Sequence, residues 1–373
     1  MFSMDENTRK IALIAVIVLI AGAIFFLKEP TGPSPPAGEI PTTGLEGKTS
    51  PYPKAPEITG IHAWLNSEPL TIEALKGKVV LVDFWTYSCI NCIRTIPYLR
   101  QWNEKYRDLG LVIIGVHSPE FNFEKEKGNV QKAIEQFEVT WPVAMDNDMQ
   151  TWRNYHNRFW PAKYLIDSQG RIRYTHFGEG AYEETEKQIQ ALLEEAMGAN
   201  IEVETVKDPS TSGTAGGLFR TPELYAGYAY GNYLGNTEGY KPEQIVGYSD
   251  TQTHEDRKIY LQGEWFNSAE FVRHARKTET PEDYIAIKYL AAEVNAVLGK
   301  GNEPYKVFVS LDGKKLAERY AGKDILFDEE QNAFIEVTQD KLYNIINGPL
   351  GIRELKLSSD SDSFSLYTFT FGG

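Results

Sequence analysis

The sequence predicts an α/β domain with a central mixed sheet and helices on both faces. An all-β sandwich of jelly-roll type follows it, and a single N-terminal transmembrane helix precedes it. Three observations carry this expectation. Residues 11–27 form an uncharged apolar run, and apolar strands alternate with helical periods from 55 to 200. Beyond 217 the helical period gives way to two-residue alternation, with frequent turns and many tyrosines and phenylalanines. At 373 residues the chain is long enough for two cores. Its net charge of −14 argues against nucleic acid as a partner and against docking on anionic lipid headgroups.

The 17 residues from 11 to 27 would rise roughly 25 Å as a helix, the short end of a bilayer span. Arg9 and Lys10 precede the run and would hold the N-terminus inside. Ala21-Gly22-Ala23 offers a signal-peptidase site, but the apolar run continues past it. Residues 1–29 are therefore expected to be an uncleaved single-pass anchor in the cell membrane, a cleaved signal being the alternative. Residues 30–54 are rich in proline and glycine and form an extended linker. That topology places the folded domains on the extracytoplasmic side.

The α/β domain is expected over 55–200. Strands fit near 58–64, 79–86, 111–116, 142–145, 162–166 and 172–177, and helices at 89–107, 124–137, 149–156 and 182–197. A charged insert, 120–129, lies on the path to the second helix. Residues 201–217, with Gly, Ser, Thr and Pro clustered from Asp208 to Gly217, read as a second linker. The β-sandwich occupies 218–373. Strands are clear at 307–313 and 363–371, and the mixed period of 282–297 suggests two strands, 284–290 and 293–298.

The chain has two cysteines, Cys89 and Cys92, spaced as Cys-Ile-Asn-Cys between a buried strand and a helix. A thiol in the first turn of a helix meets unsatisfied N–H groups and the positive end of the helix dipole, which favour the attacking thiolate. A second thiol one turn later can resolve the mixed disulfide that the first forms. A zinc site would need more ligands, and no second cysteine pair or short histidine spacing supplies them. A structural disulfide here would close almost no loop. The pair reads as a redox centre with no metal and no cofactor beyond the redox-active Cys89–Cys92 disulfide.

Around the pair, Asp83-Phe84-Trp85 followed by Cys89, Pro97 in the helix, and Phe159-Trp160-Pro161-Ala162 leading into a strand resemble the thioredoxin superfamily. The likeness is to its membrane-anchored TlpA and DipZ types, to which Gly115-Val116-His117-Ser118-Pro119-Glu120-Phe121 adds. The resemblance implies that Cys89 attacks, Cys92 resolves, and Asp83 is a buried acid that takes the proton of the resolving thiol. A polar strand end is the plainer alternative for Asp83. Trp85, Trp160 and Pro161 would bind substrate, Trp85 covering the pair and Pro161 holding a cis bond that exposes its neighbour's backbone. Trp85 as a core aromatic and Pro161 as an ordinary loop proline remain open. The chain departs from the pattern in three places: Thr95 stands where many relatives carry Glu, Trp160 where Thr or Val is usual, and the Ile-Asn dipeptide has no proline.

The sequence thus points to a membrane-anchored thiol–disulfide oxidoreductase acting on protein thiols and disulfides. The resemblance suggests reductive work, with cytochrome c maturation one setting, and a membrane protein as electron donor. Two alternatives stand beside it. Thr86, three residues before Cys89, allows a thiol peroxidase of peroxiredoxin type. A cell-surface glycan-binding module with a thioredoxin scaffold is the other. The C-terminal domain resembles a carbohydrate-binding jelly roll through Thr221-Pro222-Glu223-Leu224-Tyr225, which makes a glycan its suggested partner. Tyr225, Tyr228, Tyr230, Tyr233, Tyr240 and Trp265 either stack on sugar or fill the sandwich core. Asp83→Asn is expected to slow resolution and to stabilise the fold, since it removes a buried ionisable group.

Overall fold

The computed structural model describes residues 51–201, 203–206 and 220–373. The expected anchor, nearly all of the first linker and the stretch Asp208 to Gly217 lie outside the described residues. No helix among the described residues is long and apolar enough to cross a membrane.

The α/β region contains β1 (Ala63–Leu65), β2 (Val79–Trp85), β3 (Leu111–His117), β4 (Val143–Met145), β5 (Ala162–Ile166) and β6 (Ile172–Phe177). Its helices are α1 (Ile90–Tyr106), α2 (Lys127–Gln136), α3 (Gln150–Asn154) and α4 (Tyr182–Met197). The sheet runs β1-β4-β3-β2-β5-β6 and is mixed: β2, β3 and β4 are parallel, while β5 is antiparallel to β2. All seven residues of β2 are buried because the strand is central and covered on both faces, which explains why it is apolar at every position but Asp83. Its side chains alternate between two cores. Val79, Leu81 and Trp85 join Ile96, Leu99 and Trp102 of α1, whereas Val80, Val82 and Phe84 meet Trp152, Tyr155 and Tyr164. Asp83 therefore falls on the α1 face.

Two elements differ from expectation. The strand sought at 58–64 is only Ala63–Leu65, because β4, its sole partner, offers three residues. The helix sought at 124–137 is broken into a 3-10 turn, Asn122–Lys125, and α2. The Glu124 carboxylate turns back to accept the N–H groups of Glu120 (2.6 Å) and Phe121 (3.0 Å), which closes the turn. Glu126 is then extended at ψ 115° before α2 begins.

The rest is all β: β7 (Leu224–Tyr225), β8 (Ile245–Tyr248), β9 (Ile259–Asn267), β10 (Val272–His274), β11 (Tyr284–Gly299), β12 (Tyr305–Leu311), β13 (Lys314–Lys315), β14 (Leu326–Phe327), β15 (Ala333–Val337), β16 (Lys341–Ser358) and β17 (Ser365–Gly372). Hydrogen bonds link all eleven into one continuous sheet. The two strands sought in 282–297 are a single one, β11, whose register against β16 shifts between Ala291 and Glu293 and between Val294 and Asn295. Each bulge resets which side chains face inward, so the period looks mixed in the sequence.

The two regions share a core. Phe121, almost wholly buried, packs against Tyr225, Tyr230 and Tyr367, and Val297, Leu342 and Tyr367 join the cluster that holds Cys92 and Trp102. Arg94 of α1 reaches Glu179 at 3.6 Å and Glu293 of β11 at 2.5 Å.

Candidate active site

Cys89 caps α1. Its backbone is extended (φ −79°, ψ 116°), and its carbonyl accepts the Ile93 N–H at 3.0 Å, so the helix starts directly after it. It is half-buried, whereas Cys92 in the first turn is 1% exposed; both are free thiols. Burial pushes the Cys92 thiol well up, and its hydrogen bond with Cys89 and the nearby Asp83 charge add to the shift. The arrangement gives one accessible sulfur and one that must lose its proton inside the protein.

Asp83, 2% exposed, lies close enough to the pair for its charge to raise the Cys92 thiol. Burial pushes its carboxyl up to about 6, against the pull of Lys163. Lys163 is the register partner of Asp83 across β2 and β5, is fully buried, and holds Nζ 3.5 Å from Oδ1. The sequence reading missed this lysine. Its signal was there: a charged residue inside the buried run of β5 needs a partner.

The remaining expected site residues separate. Trp85 is 3% exposed and belongs to the core, its ring edge-on to His117 and fitted over Gly115, where a Cβ would come within 2.9 Å of Nε1. It has no surface to offer a substrate, because β2 is covered on both faces. The Trp160–Pro161 peptide is cis. Pro161 itself is buried, and its carbonyl accepts the Gly178 N–H at 2.8 Å. Trp160 is half-buried, donates Nε1–H to the Ser118 carbonyl at 3.0 Å, and packs on Trp152 with ring centroids 4.2 Å apart.

Cys89 and Trp160 line one side of a crevice of about 220 Å³ whose opposite wall is formed by Glu223, Tyr225, Thr370 and Phe371 of the all-β region. Glu120, from the insert, stands at the seam, where its Oε1 accepts the Tyr225 hydroxyl at 2.7 Å. Burial, with repulsion from Glu223, pushes Glu120 up to about 8, and burial pushes Glu223 up to about 7 against hydrogen bonds from Tyr225 and Thr368. Glu124 of the same insert is fully buried and accepts the Ser88 hydroxyl at 2.5 Å, directly before Cys89. The insert is charged in the sequence, and two of its acids are drawn inward because the all-β region covers it. Of the aromatics read as sugar-stacking or core, Trp265 is fully buried and Tyr225 and Tyr230 stack on each other against Phe121. His117 is buried, neutral through a pKa lowered to about 3, and stacked on Tyr87.

Residues 52–193 match the Redoxin family, and residues 221–372 match the family described as thioredoxin-like C-terminal domain. Protein DipZ of Mycobacterium tuberculosis is 45% identical over 176 residues, which are 46% of this chain and 25% of that protein. The thiol-disulfide oxidoreductase YkuV of Bacillus subtilis is 29% identical over 140 residues, 38% of this chain and 94% of its own length. A thiol-disulfide isomerase structure from Corynebacterium glutamicum is 26% identical, covers 37% of this chain and 96% of its own, and superposes with a TM-score of 0.34. The chain spans about a quarter of the DipZ proteins it matches. With a CxxC pair at the head of α1, a mixed sheet beneath it and the Redoxin and thioredoxin-like C-terminal matches in this order, the chain is similar to the TlpA/DipZ type of the thioredoxin superfamily.

Proposed function

We propose that the chain is a thiol–disulfide oxidoreductase acting on protein substrates. The observation that carries this reading is the graded burial of the pair: Cys89 opens on a crevice, Cys92 lies sealed behind it, and Asp83 stands near with a raised pKa. The Cys89 thiolate attacks one sulfur of a substrate disulfide, forming a mixed disulfide and releasing the other sulfur as a thiolate, which takes a proton from solvent. Cys92 gives its proton to ionised Asp83 and attacks the Cys89 sulfur. The Cys89–Cys92 disulfide forms, the second substrate thiolate leaves, and two electrons have passed to the substrate. A dithiol donor must then reduce the pair.

The names of the relatives support a thiol–disulfide role. Reductive direction, work in cytochrome c maturation, and a membrane protein as dithiol donor follow from the TlpA/DipZ likeness. The apolar run 11–27 supports a single-pass membrane anchor with residues 55–200 and 218–373 as extracytoplasmic domains. The sheet is proposed to double back as a jelly-roll-like sandwich, since residues from its opposite edges, such as Tyr248 of β8 and Phe327 of β14, pack on one core. A glycan partner there rests on fold analogy, with Trp265, Tyr225 and Tyr230 already engaged. Nothing favours the peroxidase reading: Thr86 is fully buried, 3.4 Å from His117 Nε2.

The test is trapping. Cys92→Ser should accumulate mixed disulfides with substrate proteins, and Cys89→Ser none. Trapping by Cys89→Ser instead would reverse the roles, and trapping by neither would remove the activity.

A further inference from the structure

We infer that the crevice at Cys89 selects protein thiols and disulfides carrying a lysine or arginine beside the reacting sulfur, and that the all-β region supplies the recognising wall. This deepens the oxidoreductase reading and rests on it. The crevice holds about 220 Å³, room for one long side chain rather than a folded surface. It begins at Cys89, so its occupant belongs to a residue within a position or two of the reacting sulfur, given about 3.3 Å of rise per extended residue.

The walls are acidic and lack a counter-charge. Glu120 and Glu223 both belong to the crevice, and among the described residues no lysine, arginine or histidine forms an ion pair with either. The Tyr225 hydroxyl donates to Glu120, and the Thr368 hydroxyl reaches Glu223 at 3.2 Å, but neither neutralises a carboxylate. Burying such groups unpaired is costly, and an inserted cation would offset that cost. Thr370 gives a second, independent sign. It lines the same wall, is 6% exposed, and its hydroxyl has no hydrogen-bond partner. An ammonium or guanidinium group brings several N–H donors and no acceptor, which suits two carboxylates and a free hydroxyl oxygen. An inserted cation would draw these two raised carboxyls into their ionised form, whereas an acidic side chain would bring a further charge into a space where burial already disfavours negative charge.

The experiment uses the full chain in reduced form with peptide disulfides that differ only in the residue beside the cysteine: lysine, alanine or glutamate. The expected kcat/KM is about tenfold higher for lysine than for glutamate. In Glu120→Gln/Glu223→Gln that ratio falls to near one, with the change in KM. Equal kcat/KM for the three peptides in the unaltered protein would overturn the inference, and so would a ratio retained in the double variant. Hydroxyethyl disulfide, small and neutral, separates the two readings. Exchange with it beside equal peptide rates sinks only the specificity, whereas no exchange with any disulfide sinks the oxidoreductase reading itself.

Discussion

Asp83 has a pKa of about 6 because burial disfavours its charge more than Lys163 favours it. The proton-accepting form is therefore the minor one in acid, and the resolving step should quicken as pH rises through about 6. Asp83→Asn should slow that step and flatten the profile, as read from release of a trapped mixed disulfide. The effect on stability follows from the same shift. A carboxyl whose folded pKa lies above its ordinary 3.8 favours the native state most below pH 4 and loses that contribution as pH rises through 6. Asp83→Asn should thus match the native protein near pH 4 and exceed it at pH 7 by about 2 kcal/mol in denaturant titrations. A variant less stable at pH 7 would mean that the loss of the Lys163 pairing outweighs the relief. Lys163→Met removes the attraction, so it should move the inflection of the resolving step above 6; an unmoved inflection would take Lys163 out of the account.

At the scale of elements, the Thr86-to-Cys89 turn is held by Glu124, which accepts from Ser88 Oγ, Glu120 N and Phe121 N. Glu124→Ala leaves those donors without their acceptor and should cost about 3 kcal/mol in denaturant titration; an unchanged midpoint would show that water replaces the carboxylate. This turn marks where sequence reasoning runs out. Strands β5 and β6 and helix α4 were legible residue for residue, because β5 starts directly after Pro161, β6 follows the polar turn from Asp167 to Arg171, and α4 buries one face and ends at Gly198. The break at Glu126 was not legible, since Glu124 is a good helix former whose side chain is claimed by the backbone of its own insert. The Cys89, Cys92 and Asp83 constellation was readable from local spacing. Glu120, Glu223 and Thr370 were not, because they meet only through packing between segments about a hundred residues or more apart in sequence.

Over the whole molecule, the shared core decides how it unfolds. Phe121 is enclosed by Tyr225, Tyr230 and Tyr367, so neither region can open without exposing apolar surface of the other. Calorimetry should show a single cooperative transition, and Phe121→Ala should lower it by about 3–5 kcal/mol. Two resolved transitions would show that the regions unfold independently.

The position of β17 has a consequence for how the protein is made. This strand lies between β10 and β11 in the sheet, and it brings Tyr367 to the shared core and Thr370 and Phe371 to the crevice wall. Its residues leave the ribosome long after the α/β region is complete, and domains made first tend to fold first. For that interval the nascent chain carries the thiol pair without its full cover and without the completed wall beside it. Whatever discrimination the wall provides is absent until the last strand closes the sheet, so the newborn protein is a less choosy reagent than the mature one.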